Sequence, residues 1–203
     1  MSDTGPYVYV VEDDEAVRDS LAMLLKAENY VVKTYESAEA FLKENVRELR
    51  GAMVLDIRMP GLTGMELHKK LLAMNCALPV IFVTGHGDVA MAVEAMKLGA
   101  VDFVQKPYRD EELLSKIEEA LKMDAEQQAA LAHKEELKRR IESLTPRESE
   151  IMEMMVEGNA NKVIAIDLDI SQRTVEIHRS RVMQKMGTHS LAQLVQMVIA
   201  ARA

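Results

Sequence analysis

Along the first 123 residues, short runs of β-branched and aromatic side chains alternate with longer segments in which apolar residues recur every three or four positions. The short runs are YVYVV (7–11), VVKTY (31–35), AMVL (52–55), VIFVT (80–84) and DFV (102–104), each bounded by polar or turn-forming residues. Runs this short and this rich in Val, Ile, Tyr and Phe read as strands. The segments between them have helical spacing. They cover 15–29, where Val17, Leu21, Leu24 and Leu25 share a face, then 37–49, 63–74, 88–98 and 110–123. Ser37, Asp88 and Asp110 suit N-cap positions, Thr63 with Glu66 makes a capping box, and Gly99 suits a helix stop. Five β–α units in succession predict an α/β fold, a five-stranded doubly wound parallel sheet.

The pattern changes after residue 123. Residues 124–143 contain no Gly or Pro and are rich in Ala, Glu, Lys and Leu, so they read as a helical linker, separate or continuing the preceding helix. From Leu144 onward no strand pattern occurs. Thr145 as N-cap, Pro146 at the first helical position and Glu148 three residues after the cap open a helix that Gly158 closes. A short helix (161–168), a turn at Asp169 and Ile170, and a new start at Ser171 lead to a helix ending at Gly187. A last helix from Ser190 carries Leu191, Leu194, Val195, Val198 and Ile199 at helical spacing. The expected organisation is therefore an α/β domain (1–123), a linker (124–143) and an all-α domain of four helices (144–203).

Composition refines this outline. The 203 residues are 48% hydrophobic but only 4% aromatic, with no Trp, so aliphatic residues and fifteen Met must fill the cores. The net charge of −8 is unevenly spread. Residues 1–123 hold 14 Lys and Arg against 21 Asp and Glu, 124–143 hold 4 against 5, and 144–203 hold 7 against 7. The acidity thus sits in the first domain. The single cysteine, Cys76, can form no internal disulfide and reads as a bland loop residue. No run approaches a membrane span and no secretion signal opens the chain, so a cytoplasmic location with no membrane partner is expected.

Chemistry enters at the strand ends. In an open parallel sheet the carboxyl ends of the strands share an edge, where ligands bind. The first strand is followed by Glu12, Asp13 and Asp14, and the third by Asp56. Carboxylates that converge repel unless a cation joins them, and Mg²⁺ is the natural hard dication for oxygen ligands. A carboxylate so held can accept a phosphoryl group as a nucleophile. The fourth strand ends in Thr84, and Lys106 and Pro107 follow the fifth. A metal site, a nucleophile, a hydroxyl and an ammonium at one edge are the parts of a phosphoryl site.

These stretches, VVEDDEAVRDSL, VLDIRMPGLTGMEL and PVIFVTGHGDVAMAVEAMKLGAVDFVQKPY, resemble the response regulators of two-component signalling, and with the later helices the FixJ subgroup. The resemblance implies that Asp56 is the phosphoacceptor. It implies Mg²⁺ held by Glu12, Asp13, Asp56 and the backbone carbonyl of Arg58, with Lys106 on the phosphoryl oxygens and Thr84 and Phe103 as a switch pair. It also implies a cis peptide before Pro107, and places Arg58 and His86 near the phosphoryl entrance. Many receivers have Asp where this chain has Glu12, whose longer arm bears on the coordination.

The helix, turn and helix between Asn161 and Met186 have the order that sets a second helix in the DNA major groove. Ser171 to Gly187 carries Arg173, Arg179, Arg181 and Lys185 against the single acid Glu176, so positive charge gathers where DNA would lie. The segment from Leu144 to Val195 resembles a LuxR/NarL-type effector domain. That likeness implies base-edge contacts from Glu176, Ile177 and Ser180, and makes Lys162, Arg173, Arg179, Arg181 and Lys185 candidates for phosphate contacts. Glu176 could accept from a cytosine amino group. Val175, Val182, Met183 and Met186 read as core, and His178 as packing rather than contact. The last helix resembles one that helps pair two effector domains.

The expectation is a DNA-binding transcription regulator, with activation favoured by the resemblance. A histidine kinase would phosphorylate Asp56 and thereby promote a homodimer on double-stranded promoter half-sites, with RNA polymerase as a further partner. No enzyme activity is expected beyond Mg²⁺-dependent self-phosphorylation and autodephosphorylation. The runner-up is a constitutive DNA binder whose receiver only dimerises. A phosphatase of the haloacid dehalogenase type ranks low, because the second Asp it needs two positions after the nucleophile is here Arg58.

Overall fold

The structure, a computed structural model, describes residues 7–85 and 89–202. The chain forms two compact units, Met1–Gln127 and Gln128–Ala203.

The first unit alternates strand and helix in the expected order: β1 (Tyr7–Val11), α1 (Glu15–Ala27), β2 (Val31–Tyr35), α2 (Ala38–Phe41), β3 (Ala52–Asp56), α3 (Gly64–Ala73), β4 (Val80–Thr84), α4 (Val89–Lys97) and β5 (Asp102–Gln105). All neighbouring strands are parallel and the sheet order is β2-β1-β3-β4-β5. Successive side chains of a strand point to opposite faces, so each central strand feeds two cores. Tyr9, Val11, Met53, Leu55 and Phe82 pack with Phe41, Leu67, Leu71 and Ala95 on one face. Val8, Val10, Val54, Ile81 and Val83 pack with Leu21, Leu25, Leu113, Ile117 and Ala120 on the other. This order makes β1 and β3 neighbours at the point where the winding reverses, and their carboxyl ends open one crevice.

Local signals explain most element ends. Ser37 accepts from the Ala40 amide and Thr63 from Glu66, whose carboxylate returns the bond in a capping box. Gly99, with φ +85°, follows α4. The Asp88 cap expected there lies outside the described residues. One helix differs from expectation. The helix expected over 37–49 is only four residues long, because Phe41 and Val46 are both buried and five residues apart they would lie on different helix faces. The chain leaves the helix through short-range bonds from Lys43 to Ala40 and Glu44 to Phe41, and the Tyr35 hydroxyl donates to Glu44 at 2.9 Å.

The linker takes one of the two forms open to it, continuing the preceding helix. Helix α5 runs without a break over Asp110–Glu142, with Asp110 as its first helical residue. Residues 124–143 therefore do not stand apart. The boundary between the units falls at Gln127, inside this helix, because Asp124 is buried in the first unit and holds the Gly51 amide at 2.9 Å, whereas Leu137 is buried and Ile141 packs on the second core.

The second unit continues with α6 (Pro146–Val156), α7 (Asn161–Asp167), α8 (Gln172–Met186) and α9 (Leu191–Arg202). Thr145 and Glu148 form the expected capping box, Ser171 caps α8, and Gly187, with φ +69°, closes it. The core is Leu144, Ile151, Met152, Met155, Ile164, Val175, Val182, Met186, Leu194 and Val198. The expected stripe on α9 is divided: Leu194 and Val198 are core, while Leu191 and Ile199 are exposed.

Candidate functional site

The carboxyl edge of the sheet gathers the expected acids. Asp56 is the last residue of β3 and is 6% exposed; Glu12 follows β1 and is 3% exposed, while Asp13 is exposed. One carboxylate oxygen from each lies within 4.8 Å of the others. Three oxygens at that separation match the donor set of a hard divalent cation, so these residues fit Mg²⁺. Lys106 reaches the same point from the loop after β5, its ammonium 2.6 Å from Glu12 Oε2 and 3.0 Å from Asp56 Oδ1. The Lys106–Pro107 peptide is cis, as the resemblance implied.

Glu12 and Asp56 are held from the backbone as well. Asp56 Oδ2 accepts from the Arg58 amide at 2.6 Å, leaving the carboxylate oriented by an amide on one oxygen and an ammonium on the other. Burial raises the Glu12 carboxyl above its ordinary value and the Asp56 charge adds to that, against the Lys106 hydrogen bond. Burial alone would lower the Lys106 ammonium, but its hydrogen bonds to Glu12 and Asp56 outweigh it and hold the group above the usual lysine value. The cation is therefore retained at the acid cluster.

Thr84 ends β4, is buried, and its carbonyl accepts from the Lys106 amide at 2.8 Å. Val83 is the register partner of Asp56, so Thr84 lies one residue beyond the phosphoacceptor candidate at the same edge. Phe103 on β5 pairs in register with Phe82 and is 36% exposed, high for an aromatic ring on a strand. Arg58 is exposed, and His86 lies outside the described residues. Cys76 is buried and burial pushes its thiol up, in keeping with a passive role.

Sequence reasoning missed two residues here. Arg18, one turn into α1, donates from Nη1 to the carbonyls of Glu12 (2.9 Å) and Asp13 (3.1 Å), tying the acidic loop to the helix. Glu39 on α2 accepts from the Leu62 amide at 3.0 Å and so anchors the loop that follows Asp56. Neither gives a signal in the chain, since both act on backbone atoms of segments distant from their own pattern.

In the second unit, Arg173, Glu176, Ile177 and Ser180 are all exposed, and at positions two, five, six and nine of α8 they share one face of the helix. Arg181 is exposed beside them, and Lys162 is exposed at the start of α7. Gln184, also exposed, extends the same face by one turn and was not singled out from the sequence. Val175, Val182 and Met186 are core, as expected. Arg179 is half-buried and lies nearer the Val175 and Val182 side than the exposed face. His178 is half-buried with Nδ1 shielded from solvent, consistent with packing. Lys185 differs from expectation: its ammonium is 2.6 Å from Glu148 and 3.0 Å from the Ser143 carbonyl, so it is engaged inside the domain.

Comparison with known proteins agrees with this geometry. Residues 8–118 match the response regulator receiver domain, and residues 142–198 match the bacterial regulatory proteins of the luxR family. The chain is similar to the transcriptional regulatory protein FixJ of Azorhizobium caulinodans, 47% identical over 96% of this chain and 92% of that protein. It is similar to FixJ of Bradyrhizobium diazoefficiens at 43% identity, over 98% and 97% of the two chains. Among solved structures, the response regulator StyR superposes with a TM-score of 0.86 at 41% identity, over 96% of this chain and 98% of that one.

Proposed function

Since the chain belongs to the FixJ-type response regulators of two-component signalling, with a receiver and a LuxR-type DNA-binding domain, we propose that Asp56 is its phosphoacceptor and that phosphorylation controls how α8 meets DNA. The observation that carries this reading is Lys106 spanning Glu12 and Asp56 above three convergent carboxylates. Asp56 attacks the phosphorus of a phosphohistidine on a partner kinase, or of a small phosphodonor. The P–N or P–O bond breaks, and the phosphoryl group passes to a carboxylate oxygen of Asp56. Glu12, Asp13, Asp56 and the Arg58 carbonyl would hold Mg²⁺, which would supply positive charge against the transferred group. Lys106 then exchanges part of its bond to Asp56 for the new phosphoryl oxygens. Thr84 donates its hydroxyl to the same group, and Phe103 turns inward from its exposed position as the threonine moves. Water attack at the same phosphorus returns the carboxylate.

The altered receiver surface favours a homodimer, which presents two α8 helices to two half-sites of double-stranded DNA, about one helical turn apart. Glu176, Ile177 and Ser180 face base edges there, and Gln184 can address an adenine on the same face. Lys162, Arg173 and Arg181 hold phosphates, with Arg179 behind them. The setting is the cytoplasm, the output is activation of transcription, and RNA polymerase is the further partner. The test is incubation with acetyl phosphate and Mg²⁺, following phosphoryl incorporation and molecular mass together. The unsubstituted protein incorporates and shifts toward dimer, and Asp56→Asn does neither. A folded receiver that takes no phosphoryl group would leave a constitutive DNA binder as the better account.

A further inference from the structure

The C-terminal end of α8 is closed in two parts. A helix leaves its last carbonyls without intrahelical partners, and each needs another donor. At α8 the amides of Gly187 and Thr188 return to the carbonyls of Gln184 (3.1 Å) and Met183 (3.0 Å), the paired bonds of a Schellman turn. That motif does not reach the Met186 carbonyl. Its donor comes from α5: Arg140 Nη1 lies 2.9 Å from Met186 O, and Arg140 Nε is braced by Glu136 Oε1 at 2.9 Å. The exchange is reciprocal. Lys185, in the last turn of α8, donates to the Ser143 carbonyl just past the end of α5, and also to Glu148 of α6. Each helix thus places a cation on the other's negative end, where the helix dipole favours it. Space at the joint is tight, since a Cβ at Gly187 would come within 2.6 Å of Arg140 Nη1.

We propose that Arg140 is a positioning residue for DNA reading: from the last turns of α5 it closes the C-terminal end of the recognition helix, making those turns a working part of the DNA-binding unit. The proposal rests on the reading of α8 as the recognition helix. All its partners, Glu136, Met186 and Gly187, belong to the second unit, and Leu137 and Ile141 pack the same stretch of α5 onto that unit. Arg140 need not touch DNA to act. It sets the end of the helix whose exposed face carries Ser180, Arg181 and Gln184.

The test uses the full chain and a DNA fragment selected from a random pool by the unsubstituted protein. Arg140→Ala should bind that fragment about tenfold more weakly, the scale of one lost charge-assisted hydrogen bond. Its affinity for unrelated DNA should be unchanged, and so should the slope of log affinity against log salt. Arg140→Lys, which can still donate to Met186 O, should recover most of the loss. Glu136→Gln, which removes the charged brace and leaves the cation, should give a smaller loss in the same direction and covers the case in which Arg140→Ala does not fold. A salt slope reduced by about 0.9 with selectivity retained would make Arg140 a phosphate contact and overturn the proposal. Unchanged selectivity in both Arg140→Ala and Glu136→Gln would overturn it as well. Failure of the unsubstituted protein to select any DNA would instead refute the reading of α8, and with it the proposal.

Discussion

Two glycines separate steric from conformational demand at the scale of single residues. Gly64 opens α3, and a Cβ there would lie 2.1 Å from the carbonyl oxygen of Asp56 and 3.1 Å from Leu55 Cγ. Neither neighbour can yield without moving the strand that carries Asp56. Gly99 has φ +85° and open space around it, so an alanine there meets only backbone strain. Gly64→Ala should destabilise the receiver by about 3 kcal/mol, and Gly99→Ala by about 1 kcal/mol. Denaturant unfolding of the two variants checks this, and equal losses would contradict the steric argument. Gly64→Ala should also slow phosphoryl uptake, because the displaced carbonyl belongs to Asp56. Glu148 makes a second residue-scale case. The Lys185 ammonium, then the Thr145 amide, hold its carboxyl down from 4.5 to about 2. A depressed folded-state value means that the stabilisation is whole above about pH 4.5 and is lost as pH falls toward about 2. Thermal unfolding of the second unit should steepen across that window in the parent and flatten in Glu148→Gln. Parallel pH profiles would refute the assignment.

Elements show how much of this was legible in the chain and where legibility ends. Strands and most helices follow from period and caps, because each signal is local: Thr63 and Glu66, Thr145 and Glu148, Ser171, Gly187. The convergence of Glu12, Asp13 and Asp56 was legible too, since a parallel sheet brings strand ends together whatever the details of packing. The length of α2 was not, because it depends on burying both Phe41 and Val46 against the sheet. Arg18, Glu39 and Arg140 were equally hidden, as each donates to or accepts from backbone that only the tertiary fold brings near. The division of α5 between the units is the most consequential case. Its sequence is helical throughout, and nothing local distinguishes Leu131, which is 45% exposed, from Leu137, which is 1% exposed. Leu137→Ala should therefore cost the second unit about 2–4 kcal/mol and leave the receiver untouched. A fragment beginning at residue 128 should melt above one beginning at 144, and equal melting would place the domain edge at Leu144 instead.

At the scale of the whole molecule, charge is segregated: seven excess acids in residues 1–123 and exact balance in 144–203, with Arg173 and Arg181 gathered on the exposed side of α8. An acidic receiver tethered to a basic DNA-reading face would compete with DNA phosphates for the same cations, and would also repel DNA. Both effects are electrostatic and screen within about 8 Å at physiological salt. DNA binding itself also weakens with salt, by release of condensed counterions. These two dependences oppose each other in the full chain but not in a fragment that lacks the receiver. The unphosphorylated full chain should therefore bind DNA more weakly than residues 128–203 at low salt, and the gap should narrow as salt rises. Affinities of both proteins for one selected fragment, taken over a salt series, measure this directly. Parallel lines separated by a constant factor would mean that any restraint by the receiver is steric, and coincident lines that the receiver leaves the isolated domain's affinity unaltered, so that phosphorylation acts through dimerisation alone.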